Sequence, residues 1–309
     1  EDDVDHPKID EINVEDRLAQ SAARSSLVTN GSSSDYSSVQ GKPSDNTVHV
    51  KSFIKRIVGG SQASYGEIPW QASLKIDTGT QLIQYCGAVI IDQFWLLSAA
   101  HCFHQQGLQF RVMVGEYNLY SKDAGEQTFQ VDYIYTHEYS VCFGEKSCDY
   151  DIALIKIRPL SDGSGISFNR FVQPIRLPDA TTSLKVGTPL LVSGWGWTEK
   201  CLDSKKDPQT LSEVLMKAEV PLVDQETCKR DNGIHEVTDR MFCAGQLDGQ
   251  SGSCYGDSGG PIAYIADGSN MLVGIVSWGD GCGQPNKPAV YTQVAYFLDW
   301  INNIMQQRR

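Results

Sequence analysis

From residue 57 onward the chain breaks into many short segments rich in Val, Ile, Leu and Tyr, separated by Gly, Pro, Asn and Asp, with few helical periods. Short apolar segments between frequent turn residues read as half-buried strands, and a long succession of them makes an all-β sandwich or barrel. Only the C-terminus has helical spacing: Val294, Phe297, Leu298, Ile301 and Met305 recur at steps of three and four. That stripe is read as a docking face for the core, with a solvated tail at Arg308-Arg309.

The first 52 residues have a different texture. They are polar and rich in Ser, Asp and Gly, with acids bunched at Glu1 to Asp5, a serine tract from Ser32 to Ser38, and no cysteine. Such a segment buries too little apolar surface to offset its ordering entropy, so a disordered leader is expected. Asn30-Gly31-Ser32 is an acceptor site for N-glycosylation. At Lys55-Arg56-Ile57-Val58-Gly59-Gly60 the ordered texture begins. A dibasic pair before an apolar tetrapeptide suits cleavage by a trypsin-like activator, or else marks a basic hinge.

No apolar run approaches the roughly 20 residues that a membrane-spanning helix needs. The net charge of -12 argues against nucleic acid, because a polyanion would be repelled. Nine cysteines lie between Cys86 and Cys282 without a CxxC pair. They read as disulfide partners rather than zinc ligands, which implies an oxidising compartment and a secreted, extracellular protein. The chain starts at Glu1 without Met or an apolar signal region, so a signal peptide is expected to have been removed already.

Gly256-Asp257-Ser258-Gly259-Gly260-Pro261 carries the chemistry. It sets one hydroxyl among glycines, where the backbone turns tightly and a substrate carbonyl can approach main-chain N–H groups. A serine needs a base, and the base an orienting acid. Leu96-Leu97-Ser98-Ala99-Ala100-His101-Cys102 offers His101, in a small-residue setting beside a cysteine. His6, His49, His104, His137 and His235 read as structural or surface groups. The acid is sought where a carboxylate opens a buried strand, and Asp151-Ile152-Ala153-Leu154-Ile155-Lys156-Ile157 fits. Asp149 is the rival, ranked lower because it is not attached to the strand.

With Ile57-Val58-Gly59-Gly60, Ala99-Ala100-His101-Cys102, Asp151-Ile152-Ala153-Leu154, Gly194-Trp195-Gly196, Gly256 to Pro261 and Ser277-Trp278-Gly279 in order, the chain resembles the chymotrypsin-like serine proteases of the trypsin family. The resemblance covers Ile57 to about Gln306. It implies two six-stranded antiparallel β-barrels with a C-terminal helix, hence a propeptide over 1–56 and a protease domain over 57–309. It also assigns His101, Asp151 and Ser258 as the catalytic triad, and the N–H groups of Gly256 and Ser258 as the oxyanion hole. Cleavage after Arg56 would free the Ile57 amine to pair with Asp257, converting a zymogen. No cofactor is needed for catalysis. Partners would be protein and peptide substrates, a trypsin-like activator, and serpins or substrate-like inhibitors.

The resemblance pairs Cys86 with Cys102, Cys228 with Cys243, and Cys254 with Cys282. Cys142 and Cys148 are close enough to clip their own loop, a bridge outside the family pattern, and Cys201 is left over. A common family bridge is missing at both ends, near Leu190 and Tyr264. Arg176 stands where members that retain their leader carry a cysteine, so the propeptide is expected to dissociate after activation.

In this family the residue six before the nucleophile lies at the base of the primary pocket, where Asp selects Arg and Lys. Here it is Gly252, followed by Ser253. The implied walls are Ser277, Trp278, Gly279 and Ala289, none acidic, although Asp280 stands beside the mouth. An uncompensated cation is costly to bury, so preference for Phe, Tyr, Leu or Met is expected, with elastase-like preference for small residues as the alternative. The competing class is a catalytically silent, protease-like binding cofactor. The segment 116–126 matches the family's calcium loop, with carboxylates from Glu116 and Glu126 and carbonyls from Asn118 and Ser121 as ligands for a structural Ca²⁺.

Overall fold

The computed structural model describes residues 59–144, 147–179, 181–197, 211–233, 236–266 and 269–308. They lie in one compact unit, Phe53–Arg309. Asn30, Arg56, Ile57, Cys201 and the proposed leader fall outside the described residues. In chain order the strands are β1 (Ser61–Gln62), β2 (Gln71–Asp77), β3 (Leu82–Ile90), β4 (Trp95–Ser98), β5 (Phe110–Val114), β6 (Gln127–Thr136), β7 (Val141–Phe143) and β8 (Ser147–Asp149). There follow β9 (Ala153–Ile157), β10 (Pro189–Gly194), β11 (Met216–Pro221), β12 (Met241–Ala244), β13 (Pro261–Ala266), β14 (Ser269–Trp278) and β15 (Ala289–Gln293).

Strands β2-β3-β4-β9-β6-β5 close into an antiparallel barrel. Leu74, Leu96, Leu154 and Ile155 on its strands are fully buried. The same apolar cluster continues to Leu272, Ile275, Phe297 and Ile301, which joins this barrel to the second half and to the C-terminus. The second half is a seven-stranded sheet, β1-β11-β10-β13-β14-β15-β12. Short β1 is an addition on β11; the other strands curl until Leu222, just past β11, bridges Ala244 at the end of β12. Val223 N–H donates to the Cys243 carbonyl (2.9 Å) and Gly245 N–H to that of Pro221 (3.1 Å) across the same seam. The fold is thus the expected pair of six-stranded barrels, and closure leaves little free edge to aggregate.

Helix α2 (Leu298–Gln307) follows a 3-10 turn, Val294–Phe297. Val294, Phe297 and Ile301 are buried, and Leu298 and Met305 pack at the margin, as the stripe implied. Helix α1 (Gln225–Asn232) was not expected, because Cys228 and Asn232 are its buried residues and no apolar stripe marks it. Its ends do carry signals: Asp224 caps it by accepting from Thr227 N–H, and Gly233 closes it. No helix among the described residues is long and apolar enough to cross a membrane.

Among the described residues four disulfides are formed: Cys86–Cys102, Cys142–Cys148, Cys228–Cys243 and Cys254–Cys282. Cys142–Cys148 clips the hairpin β7-β8 just ahead of Asp151. Leu190 and Tyr264, where a further bridge is missing, pack against the core of the second barrel.

Candidate active site

Strand β4 stops at Ser98, and His101 lies in a one-turn 3-10 helix, Ala100–Phe103, with Ala100 and Cys102 buried. The Cys102 bridge to Cys86 on β3 ties this turn to the barrel. Part-buried His101 faces buried Asp151, which precedes β9. Its backbone N–H donates to Asp151 Oδ1 (2.8 Å) and its ring Nδ1 pairs with Oδ2 (2.8 Å). Two bonds from one residue fix both the place and the tilt of the imidazole.

Asp151 is 1% exposed and heavily satisfied. Ser277 Oγ donates to its Oδ2, and Thr292 Oγ1 to its backbone carbonyl (2.8 Å), so β14 and β15 of the second barrel hold an acid presented by the first. The Ser277 hydroxyl thus supports the acid, a contact that its reading as a pocket wall did not include. Burial alone would push the His101 pKa down, but the Asp151 charge and hydrogen bond outweigh it and raise it. The same partners outweigh burial at Asp151 and keep its carboxyl below its usual value. The rival acid is engaged elsewhere, since Asp149 is paired with Arg240.

Nε2 is left for chemistry. Its one hydrogen-bond-type contact among the described residues is Cys102 Sγ at 3.9 Å. Ser258 is part-buried, and its carbonyl accepts from Gly87 N–H of β3 (2.7 Å), which fastens the nucleophile loop to the first barrel. Among the described residues neither the Gly256 nor the Ser258 N–H has an acceptor. Gly256 has φ +93, a conformation that glycine adopts readily. Unpaired donors beside a hydroxyl suit a developing oxyanion.

Asp257 is buried, accepting from Gly196 N–H (2.8 Å) and Cys254 N–H (2.9 Å). Burial pushes its pKa up to about 6 despite those bonds, and no cation among the described residues balances it. A β-carbon on Gly194 would lie 2.2 Å from Asp257 Oδ1, and one on Gly196 2.5 Å from its Cγ. The spacing Gly194-Trp195-Gly196 is therefore a cradle for this acid.

A cleft beside the site is lined by Gly252, Ser253, Gly281, Lys287, Pro288 and Ala289, among others, with no acid in its described lining. Trp278 and Gly279 do not line this cleft, although a carbon on Gly279 would come 3.8 Å from Ala289 Cα. Ser253 Oγ meets the buried Tyr291 hydroxyl at 3.2 Å. Asp280, the acid beside the mouth, is paired with Lys287 Nζ (2.8 Å).

The segment 116–126 suits a divalent ion poorly. Glu116 is buried and already accepts from Lys75 Nζ and Ser73 Oγ of β2. Asp123 takes the Tyr117 and Asn118 N–H groups, and Glu126 takes that of Asp123. An ammonium already neutralises the carboxylate that would anchor calcium.

Two β-barrels that jointly hold an acid–imidazole pair beside a serine loop define a chymotrypsin-like serine endopeptidase, a hydrolase. The chain belongs to the trypsin family: the family model described as Trypsin matches residues 57–301. It is 38% identical over 251 residues to Trypsin-1 of Astacus astacus, covering 79% of this chain and 98% of that protein. It is 42% identical over 254 residues to Transmembrane protease serine 7 of Mus musculus (81% of this chain, 28% of that protein). Against Transmembrane protease serine 9 of Rattus norvegicus it is 41% identical over 250 residues (80% and 22%). The chain spans about a quarter of the length of these two transmembrane relatives.

Proposed function

We propose that this protein is an extracellular endopeptidase made as a zymogen, cleaved after Arg56, with an uncharged primary pocket that prefers Phe, Tyr, Leu or Met before the scissile bond. The observation that carries the preference is the floor: a carbon on Gly252 would meet no heavy atom within 4 Å, so the base is both open and uncharged. Asp280, the acid beside the mouth, is already paired with Lys287 of the lining. Ala289 narrows the space by one methyl and favours the second reading, an elastase-like preference, but a methyl shifts discrimination by only about 1 to 3 kcal/mol.

The roles follow the family resemblance. Ser258 Oγ attacks the scissile carbonyl carbon as its proton passes to His101 Nε2. The Gly256 and Ser258 N–H groups stabilise the oxyanion. His101 returns the proton to the leaving amine, leaving an acyl-enzyme; water, deprotonated by His101, then releases the acid. Asp151 holds the tautomer throughout. Its close engagement with His101 weighs against a silent binding cofactor.

The family match begins at residue 57, which supports a boundary at Arg56. Asp257, buried with no cation beside it among the described residues, supports capture of the new Ile57 amine. Four disulfides support an oxidising, extracellular setting, where Asn30 would carry a glycan. The segment 116–126 is held by Lys75 in place of calcium.

A peptide-library cleavage profile, before and after trypsin treatment, tests zymogen status and pocket together. Activity is expected only after treatment, with Phe, Tyr, Leu or Met preceding the cut. Fastest hydrolysis after Arg would overturn the pocket assignment. An organophosphonate should label Ser258 after cleavage, and absence of labelling would favour a silent cofactor.

A further inference from the structure

Asp151 reaches His101 from an uncommon backbone. Ile152 N–H donates to the Tyr150 carbonyl (2.8 Å), a three-residue turn with Asp151 at its apex. Tyr150 beside it has φ +50, a left-handed conformation that a tyrosine seldom adopts. Strain of this kind persists only where the surroundings over-determine it. The surroundings here are specific. Asp149 is buried and accepts a forked pair from Arg240, Nε to Oδ1 at 2.8 Å and Nη2 to Oδ2 at 2.6 Å. Asp149 Oδ1 also accepts from Tyr150 N–H (2.8 Å) and Thr238 Oγ1 (3.2 Å).

The guanidinium lies over the Tyr150 ring, 4.3 Å from its centroid, and reaches the Tyr296 ring at 5.7 Å. Arg240 itself belongs to the second barrel. It directly precedes β12, and its carbonyl accepts from Gln293 N–H of β15 (2.8 Å). One side chain thus grips both the acid before Tyr150 and the ring of Tyr150 from across the molecule. A forked, stacked contact of this sort is peculiar to arginine.

We infer that the Asp149–Arg240 pair is a positioning clamp: it holds Tyr150 in its left-handed conformation and thereby aims Asp151 at His101. The inference rests on the catalytic reading of His101, Asp151 and Ser258. The pair is a stabilising ion pair as well, so the test must read something that stability alone does not move.

The variants are R240Q, R240K and R240Q/Y150N in the activated protein, with rates taken per titrated active site so that unfolded material drops out. R240Q is expected to lower kcat roughly 10- to 100-fold with little change in KM, since misaligned groups lose rate steeply. Its acid limb in kcat/KM should move to lower pH, because Asp151 is the charged group that raises His101 and the neighbouring Cys102 and Cys148 are disulfide-bonded. His137, the other imidazole that feels Asp149 and Arg240, lies below its usual pKa through burial and also faces Glu138. An H137Q control therefore keeps the limb assignable to His101. R240K should recover part of the rate. R240Q/Y150N should exceed R240Q, because Asn tolerates the left-handed conformation that the clamp imposes.

An R240Q protein with lower melting temperature but unchanged kcat and acid limb would overturn the clamp. So would failure of Y150N to rescue. D151N separates the two readings: if it kept full activity, the triad reading and the clamp would fall together. If it is inactive while R240Q is unaffected, only the clamp falls.

Discussion

A carbon placed on Gly252 would enter open space, whereas Gly194 and Gly196 tolerate no carbon because Asp257 fills the position. Gly252→Asp is therefore expected to fold and to place a carboxylate beside Ser253, with Lys287 already bound to Asp280. Its kcat/KM ratio for Arg over Phe substrates should rise at least about 100-fold, because a buried anion compensates the substrate cation. A folded variant that still favours Phe would show that the floor is elsewhere. Ser277→Ala removes one donor from Asp151 and should cost about tenfold in kcat, the scale of a hydrogen bond to a charged group. The pairing of His101 with Asp151 was legible because short local motifs carry both residues. The partnership of Ser277 with Asp151 was not, because it spans 126 positions and each motif was read only for its own neighbourhood.

At the scale of elements, β2 supplies Lys75 to the loop after β5, and the Lys75–Glu116 pair is buried on both sides. Burial raises the Glu116 pKa even against this ammonium, so removing the ammonium leaves a carboxylate with little to stabilise its charge. Lys75→Met is expected to lose about 3 to 5 kcal/mol of stability by breaking one side of a buried pair. Wild-type thermal unfolding should ignore EDTA, while millimolar calcium should return part of what Lys75→Met loses. An EDTA-sensitive wild type would reinstate the ion. The four donors were visible as a loop motif, but Lys75 lies 41 residues upstream and no local pattern announces it. The C-terminal helix was legible because its apolar stripe is what docks. Helix α1 has no such stripe, and only its caps could have revealed it.

For the whole molecule, the two barrels are joined through Asp149 and Asp151, which one half presents and the other half satisfies, while Asp257, bonded within the second half, has no cation beside it among the described residues. Its folded pKa of about 6 stands above the ordinary 3.8, so the carboxyl contributes stability below 3.8 that is lost as pH rises through 6. Two pK units correspond to roughly 3 kcal/mol. If the Ile57 amine pairs with it after cleavage, that loss is removed while the amine stays charged. The pair raises the amine above its reference value of about 8, so the benefit persists at neutrality and disappears only on the alkaline side. Ser258→Ala protein, which cannot digest itself, should therefore unfold at nearly the same temperature before and after cleavage at pH 4. The cleaved form should gain several degrees between about pH 4 and 6, hold the gain through neutrality, and lose it as the amine deprotonates. Asp257→Asn should abolish the pH dependence of the gap. A gap that is the same at every pH, or that survives Asp257→Asn, would mean that activation relies on something other than charge capture by this carboxylate.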